Sequence, residues 1–203
     1  PGIYTSCSTS PDGKYYLVSR VKRPFSYLHP LSSFPRDIEV WDLVGQRIYS
    51  VADIPLADNI PIEGVQTGRR SIRWRANEPA TLVWTEALDG GDPRKMVPHR
   101  DQLFALSAPF DSQPRELVKV QYRFTGLTEF ADSNLLVVTE MDRDRRWTRT
   151  LMHDQRVPNA EPVILMDRSL RDRYGDPGQL VTEVSDNGQR LVRQDGDWVY
   201  RTG

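Results

Sequence analysis

The chain has 203 residues, with 27 Lys+Arg against 28 Asp+Glu, 38% apolar and 27% charged residues. That apolar share builds a core and excludes a disordered chain, while no apolar run reaches the roughly 20 residues of a membrane-spanning helix. A formal net charge of -1 argues against nucleic acid as the main partner, because phosphate binding needs surplus Lys and Arg; a lone Cys7 excludes an internal disulfide.

The first β-like run is Ile3–Ser8, followed by a turn at Pro11-Asp12-Gly13 and a second run through Leu17-Val18-Ser19-Arg20. Asp-Gly suits a tight hairpin because Gly and Asp tolerate positive φ. Two more runs follow, Asp37–Leu43 and Gln46–Val51, hinged at Gly45. The same unit returns with runs at Ser71–Arg75, Leu82–Glu86, Gln102–Leu106 and Glu116–Val120. It returns again at Phe124–Glu129, Leu136–Glu140, Thr148–His153 and Pro162–Met166. A fourth copy opens with Leu180–Val184, the turn Asp186-Asn187-Gly188 and Leu191-Val192, and stops during its third strand. The leading leucines Leu17, Leu82, Leu136 and Leu191 lie 65, 54 and 55 residues apart.

Four short antiparallel strands repeating about every 54 residues are the signature of β-propeller blades. Apolar residues seldom recur at helical spacing, and 15 Pro and 13 Gly punctuate the chain, which excludes helical readings. A β-sandwich is the rival architecture. The expectation is an all-β fold: a partial β-propeller of about three and a half four-stranded antiparallel blades, over 1–54, 69–120, 122–167 and an incomplete 179–203, all within one domain. A partial ring exposes the faces of its first and last blades, so self-association through open blade edges is expected. With Pro1-Gly2-Ile3-Tyr4 at the start and Arg201-Thr202-Gly203 directly after a strand-like run, the expectation is a piece of a longer protein.

Between the second and third runs lies Val21–Pro35, with three prolines and three aromatics; it reads either as a strap over a blade edge or as a loop overhanging a pocket. Arg69-Arg70, ending the long connector 53–70, reads as a pair of solvated arginines that could instead meet an acidic substrate. Asp142-Arg143-Asp144-Arg145-Arg146-Trp147 is the densest charge cluster. Arginine binds carboxylates bidentately and stacks on indole, making Arg145 and Arg146 candidates for receiving an acidic peptide. The competing reading is a hairpin whose charges pair with one another. The connector 167–178 is a similar charged segment.

No catalytic motif emerges. There is no G-x-S-x-G elbow, His29, His99 and His153 are isolated, and Asp89-Gly90-Gly91-Asp92 lacks the alternating oxygen ligands of a calcium loop. No catalytic residue, metal site or cofactor is assigned. Cys7, inside a β-like run, reads as a small buried hydrophobe.

Several longer stretches carry a resemblance: Val18–Tyr27, Pro35–Asp42, Thr67-Gly68-Arg69-Arg70, Glu86–Pro93, Asp142–Thr150 and Gln194-Asp195-Gly196-Asp197-Trp198. Together they resemble the N-terminal propeller of glutamyl endopeptidases in the prolyl oligopeptidase family of serine peptidases. The resemblance implies a propeller that restricts access of peptide substrates to a C-terminal α/β-hydrolase domain carrying a Ser-Asp-His triad. None of that domain lies in this sequence, so no triad residue is carried over, and this chain alone is expected to be inactive. A non-enzymatic propeller serving as a protein-interaction scaffold is the alternative. A soluble protein, in bacterial periplasm or cytoplasm rather than membrane, is expected.

Overall fold

The computed structural model describes residues 2–58, 60–157 and 160–203. Pro1, at the head of the expected first blade, and Asn59, in the 53–70 connector, lie outside the described residues.

Three four-stranded antiparallel sheets follow one another along the chain, each with its strands in sequence order. The first holds β1 (Ile3–Thr9), β2 (Tyr15–Val21), β3 (Arg36–Asp42) and β4 (Arg47–Ile54). The second holds β5 (Arg70–Trp74), β6 (Thr81–Ala87), β7 (Asp101–Ser107) and β8 (Arg115–Val120). The third holds β9 (Arg123–Glu129), β10 (Leu135–Asp142), β11 (Trp147–Asp154) and β12 (Val163–Ser169). Hairpin chemistry explains these meanders: Gly13 and Gly45 take the positive φ their turns demand.

The sheets stack in series, and the alternation of side chains along a strand assigns each residue to one of two interfaces. In β6, Leu82 and Trp84 face the first sheet, where they pack with Leu17, Val40 and Val51. Val83 points the other way and packs with Leu127, Leu136 and Val138 of the third sheet. In β10, Val137 turns toward the last segment and meets Phe130 and Val192. Strands buried on both faces read as continuous apolar runs, which is why Leu82-Val83-Trp84 and Leu136-Val137-Val138 look alike in sequence.

The first strands of successive sheets lie close to one another. The Trp74 indole N–H on β5 donates to the Ser8 carbonyl on β1 at 3.1 Å. Arg73 on β5 donates to the Leu127 carbonyl on β9 at 2.7 Å. Two residues on, fully buried Arg75 donates to Glu129 at 2.6 Å and to the Ser133 carbonyl at 3.0 Å, and also binds Glu78. The sheets therefore join along one edge and open into wedges away from it.

The last segment departs from the four-stranded pattern. Its strands are β13 (Gln179–Leu180), β14 (Thr182–Val184), β15 (Arg190–Val192), β16 (Gln194–Asp195), β17 (Trp198–Val199) and β18 (Arg201–Thr202). They form three two-stranded pairs, β14 with β15, β16 with β17, and β13 with β18. The final strand thus closes back on the first, and Val181 bridges the two ladders: its N–H donates to Tyr200 and its carbonyl accepts from Arg193. Cys7 also corrects the sequence reading. It is exposed, because β1 is an edge strand with every residue exposed, and a short apolar run alone does not separate an edge strand from a buried one.

Candidate functional site

Arg145 and Arg146 occupy the turn between β10 and β11, and pairing of Asp142 with Trp147 closes it. The Arg145 guanidinium lies 5.1 Å from the Trp147 ring centroid. Its backbone N–H donates to Asp142 Oδ1 at 3.2 Å, and Nη1 donates to the Tyr122 hydroxyl at 3.4 Å. Asp142 and Arg145 also approach at 3.9 Å, with the Arg145 side chain 58% exposed. Arg146 takes a φ of 51°, and both its neighbours Arg145 and Trp147 flank it within the turn. The hairpin thus pairs part of its own charge, through Asp142, and presents a stacked guanidinium to solvent.

A denser array lies between the second and third sheets. Asp89 and Asp101 are fully buried. Arg123 donates to Asp101 at 2.6 Å and also binds Asp89. Arg100 donates to Asp89 at 2.9 Å, the Phe124 N–H donates to Asp101 at 2.7 Å, and Arg70 ion-pairs with Asp101. Burial by itself would raise the Asp89 pKa, but the hydrogen bonds from Arg123, the Gly91 N–H and Arg100 outweigh it and hold the carboxyl below its ordinary 3.8. The turn that delivers Asp89 needs its glycines: Gly91 has φ +78° and a side chain there would meet the Val65 carbonyl at 2.1 Å.

Arg69 and Arg70 are accordingly not solvated. Arg70 holds Asp101, and Arg69 lies 4.2 Å over the Trp84 ring while donating to the Tyr49 hydroxyl and the Val51 carbonyl, each at 2.9 Å. Arg69 pins the second sheet to the first, and Arg70 braces β5 against β7 within the second. This role was hidden in the sequence, because Tyr49, Val51 and Asp101 stand 18 and more residues away from the arginines they bind. A regularity does hint at it: Arg75 and Glu129 are 54 residues apart, one repeat length.

The loop between β2 and β3 spans residues 22–35. A 3-10 turn, Leu31–Ser33, and stacked Phe25 and Phe34 shape it, yet Tyr27 and Leu28 project into solvent. At the opposite end of the strands the first hairpin turns of all four repeats converge on a hollow of about 310 Å³ lined by Asp12, Asn77, Glu78, Ala131 and Asn187. The Asp12 N–H donates to the Pro79 carbonyl at 2.8 Å across it. Among the described residues no group of three or more His, Cys, Asp or Glu is placed to hold a metal, and no helix is long and apolar enough to cross a membrane.

Comparison with known proteins supplies a relationship. The chain is 41% identical over 196 residues to "Probable glutamyl endopeptidase, chloroplastic" of Oryza sativa subsp. japonica, covering 95% of this chain and 21% of that protein. It is 39% identical over 196 residues to the protein of the same name from Arabidopsis thaliana, covering 95% of this chain and 20% of that one. The chain is thus similar to one stretch of proteins that carry that name. The chain spans about a fifth of the length of the curated relatives it matches. No family model matches it.

Proposed function

We propose that this chain is the substrate-gating β-propeller portion of a serine peptidase similar to glutamyl endopeptidases of the prolyl oligopeptidase family. The observation that carries the reading is identity of about two residues in five, running through 95% of the chain. Three serial four-stranded meanders joined along their first strands are consistent with blades around an axis.

In this reading the chain contributes no reacting group. A hydrolase domain elsewhere in the protein performs acyl transfer, with a serine activated by histidine and an oxyanion hole stabilising the intermediate. The sheets act by exclusion, admitting extended peptides and turning away folded proteins. Arg145 and Arg146 draw acidic peptides toward the entrance, and the Trp147 ring holds the Arg145 guanidinium in place.

The test uses the full-length protein with Glu-containing peptides of increasing length and a folded protein of the same composition. A gate yields cleavage of the peptides with the folded protein spared. Replacing both arginines (Arg145→Gln, Arg146→Gln) lowers kcat/KM about two- to fivefold, the range that about 0.5–1 kcal/mol of exposed-charge attraction gives. Equal cleavage of folded and unfolded substrates removes the gate, and unchanged kcat/KM removes the arginines from it. A full-length protein with no peptidase activity leaves the interaction scaffold as the reading.

A further inference from the structure

The two wedges of the sheet stack are built on one frame and filled differently. Leu82, Trp84 and Glu86 of β6 correspond to Leu136, Val138 and Glu140 of β10, each 54 residues on. Across the ladder Leu82 faces Leu106 and Trp84 faces Phe104. In the third sheet Leu136 faces His153 and Val138 faces Leu151. In the first wedge Trp84 and Phe104 stack at 5.9 Å, and Tyr49 and Phe110 add a second stack at 5.7 Å. In the second wedge the Trp–Phe pair is replaced by Val138 and Leu151, and the leucine across from Leu136 is replaced by His153.

The wedge without the Trp–Phe stack is open. A groove of about 760 Å³ runs between β8 and β11, with Leu117, Val120, Arg149, Leu151, His153 and Ile164 in its lining; that volume falls in the roughly 300–1,000 Å³ range of ligand sites. Arg149, Leu151 and His153 alternate along β11 and so share one face. Glu140 fixes Arg149, whose Nε donates to it at 2.8 Å. His153 Nε2 is buried in the groove wall and finds no hydrogen-bond partner among the described residues. β8 is the last strand of its sheet, leaving one row of its backbone groups for another strand.

We propose that this groove is a docking site for an extended peptide that lies along β8 and inserts one aromatic side chain into the space that Trp84 and Phe104 fill in the neighbouring wedge. The chemistry is complementary at each point. The ring meets Leu117, Val120 and Leu151, peptide N–H and C=O groups pair with the free edge of β8, and a backbone group reaches His153 Nε2. The inference rests on the repeat frame and stands whether or not the protein is a peptidase.

The experiment is calorimetric titration of the intact protein with Ac-Gly-Trp-Gly-NH2 and Ac-Gly-Ala-Gly-NH2. The expected result is binding of the Trp peptide about tenfold or more tighter, the effect of burying one ring. Leu151→Trp, at a position that lines the groove, fills it and abolishes the preference. Should that variant fail to fold, Ile164→Glu decides, because position 164 is 60% exposed at the groove mouth and tolerates the change; it cuts Trp-peptide binding at least about fivefold by placing a charge beside the ring. Equal binding of the two peptides, or a Trp preference that survives in a folded variant, overturns the proposal.

Discussion

Arg75 shows how much of this structure hangs on single charged side chains. Its guanidinium is fully buried and carries bonds to Glu129, Glu78 and the Ser133 carbonyl, so it satisfies groups from two sheets at once. Replacing it with alanine leaves Glu129, itself 1% exposed, without its main partner. The expected loss is about 3–5 kcal/mol, read from urea unfolding. The Glu129→Ala change added to Arg75→Ala should cost much less than the sum of the two single changes, because each removes the same interaction. The residue type was visible in the sequence and its role was not. An arginine after a strand reads as solvated until its partner is known, and here the partner is 54 residues away. Cys7 failed for the opposite reason: its neighbours suggested burial, but strand position in the sheet decided exposure.

At the scale of elements, the strands were legible because turn residues bracket them. Pro11-Asp12-Gly13 and Asp186-Asn187-Gly188 mark hairpins that the structure contains. What was not legible is which face of a strand meets which neighbour, since runs buried on both sides carry no polar alternation. The candidate arginines Arg145 and Arg146 were located on a hairpin from sequence, whereas the groove was missed, because it arises from comparing two wedges in space. The junction of the second and third sheets has a pH signature. The Asp89 carboxyl is held below 3.8 in the folded protein, so its stabilising contribution is full above the unfolded carboxylate pKa and disappears as pH falls through the lower, folded value. Asp89→Asn removes this contribution and should flatten the fall of stability as pH drops through and below the ordinary carboxylate value of 3.8, relative to the unsubstituted protein. Circular dichroism during acid titration measures it. Two parallel curves across that window would contradict the assignment.

For the whole molecule, cohesion decreases along the chain. The first two interfaces bury large clusters, the first containing Trp74, Trp84 and Phe110 and the second Leu103, Leu136 and Val138. The last rests on Phe130, Val137 and Val192, and its ladders are two or three residues long. Short ladders and few apolar contacts open first. Native-state hydrogen exchange should therefore protect β6, β7 and β10 most and β13 to β18 least, by about two orders of magnitude or more in rate if the local opening free energies differ by about 3 kcal/mol. Uniform protection would mean that the last segment is held by something other than these contacts. The serial stacking has one more consequence. Val83 and Trp84 are joined by a peptide bond yet belong to different interfaces, while Arg75 and Glu129 touch across a full repeat. Substitutions at adjacent positions should then be tolerated independently, and those one repeat apart should compensate each other, so that the pattern of permitted change along this chain has its strongest echo at a lag of 54 residues.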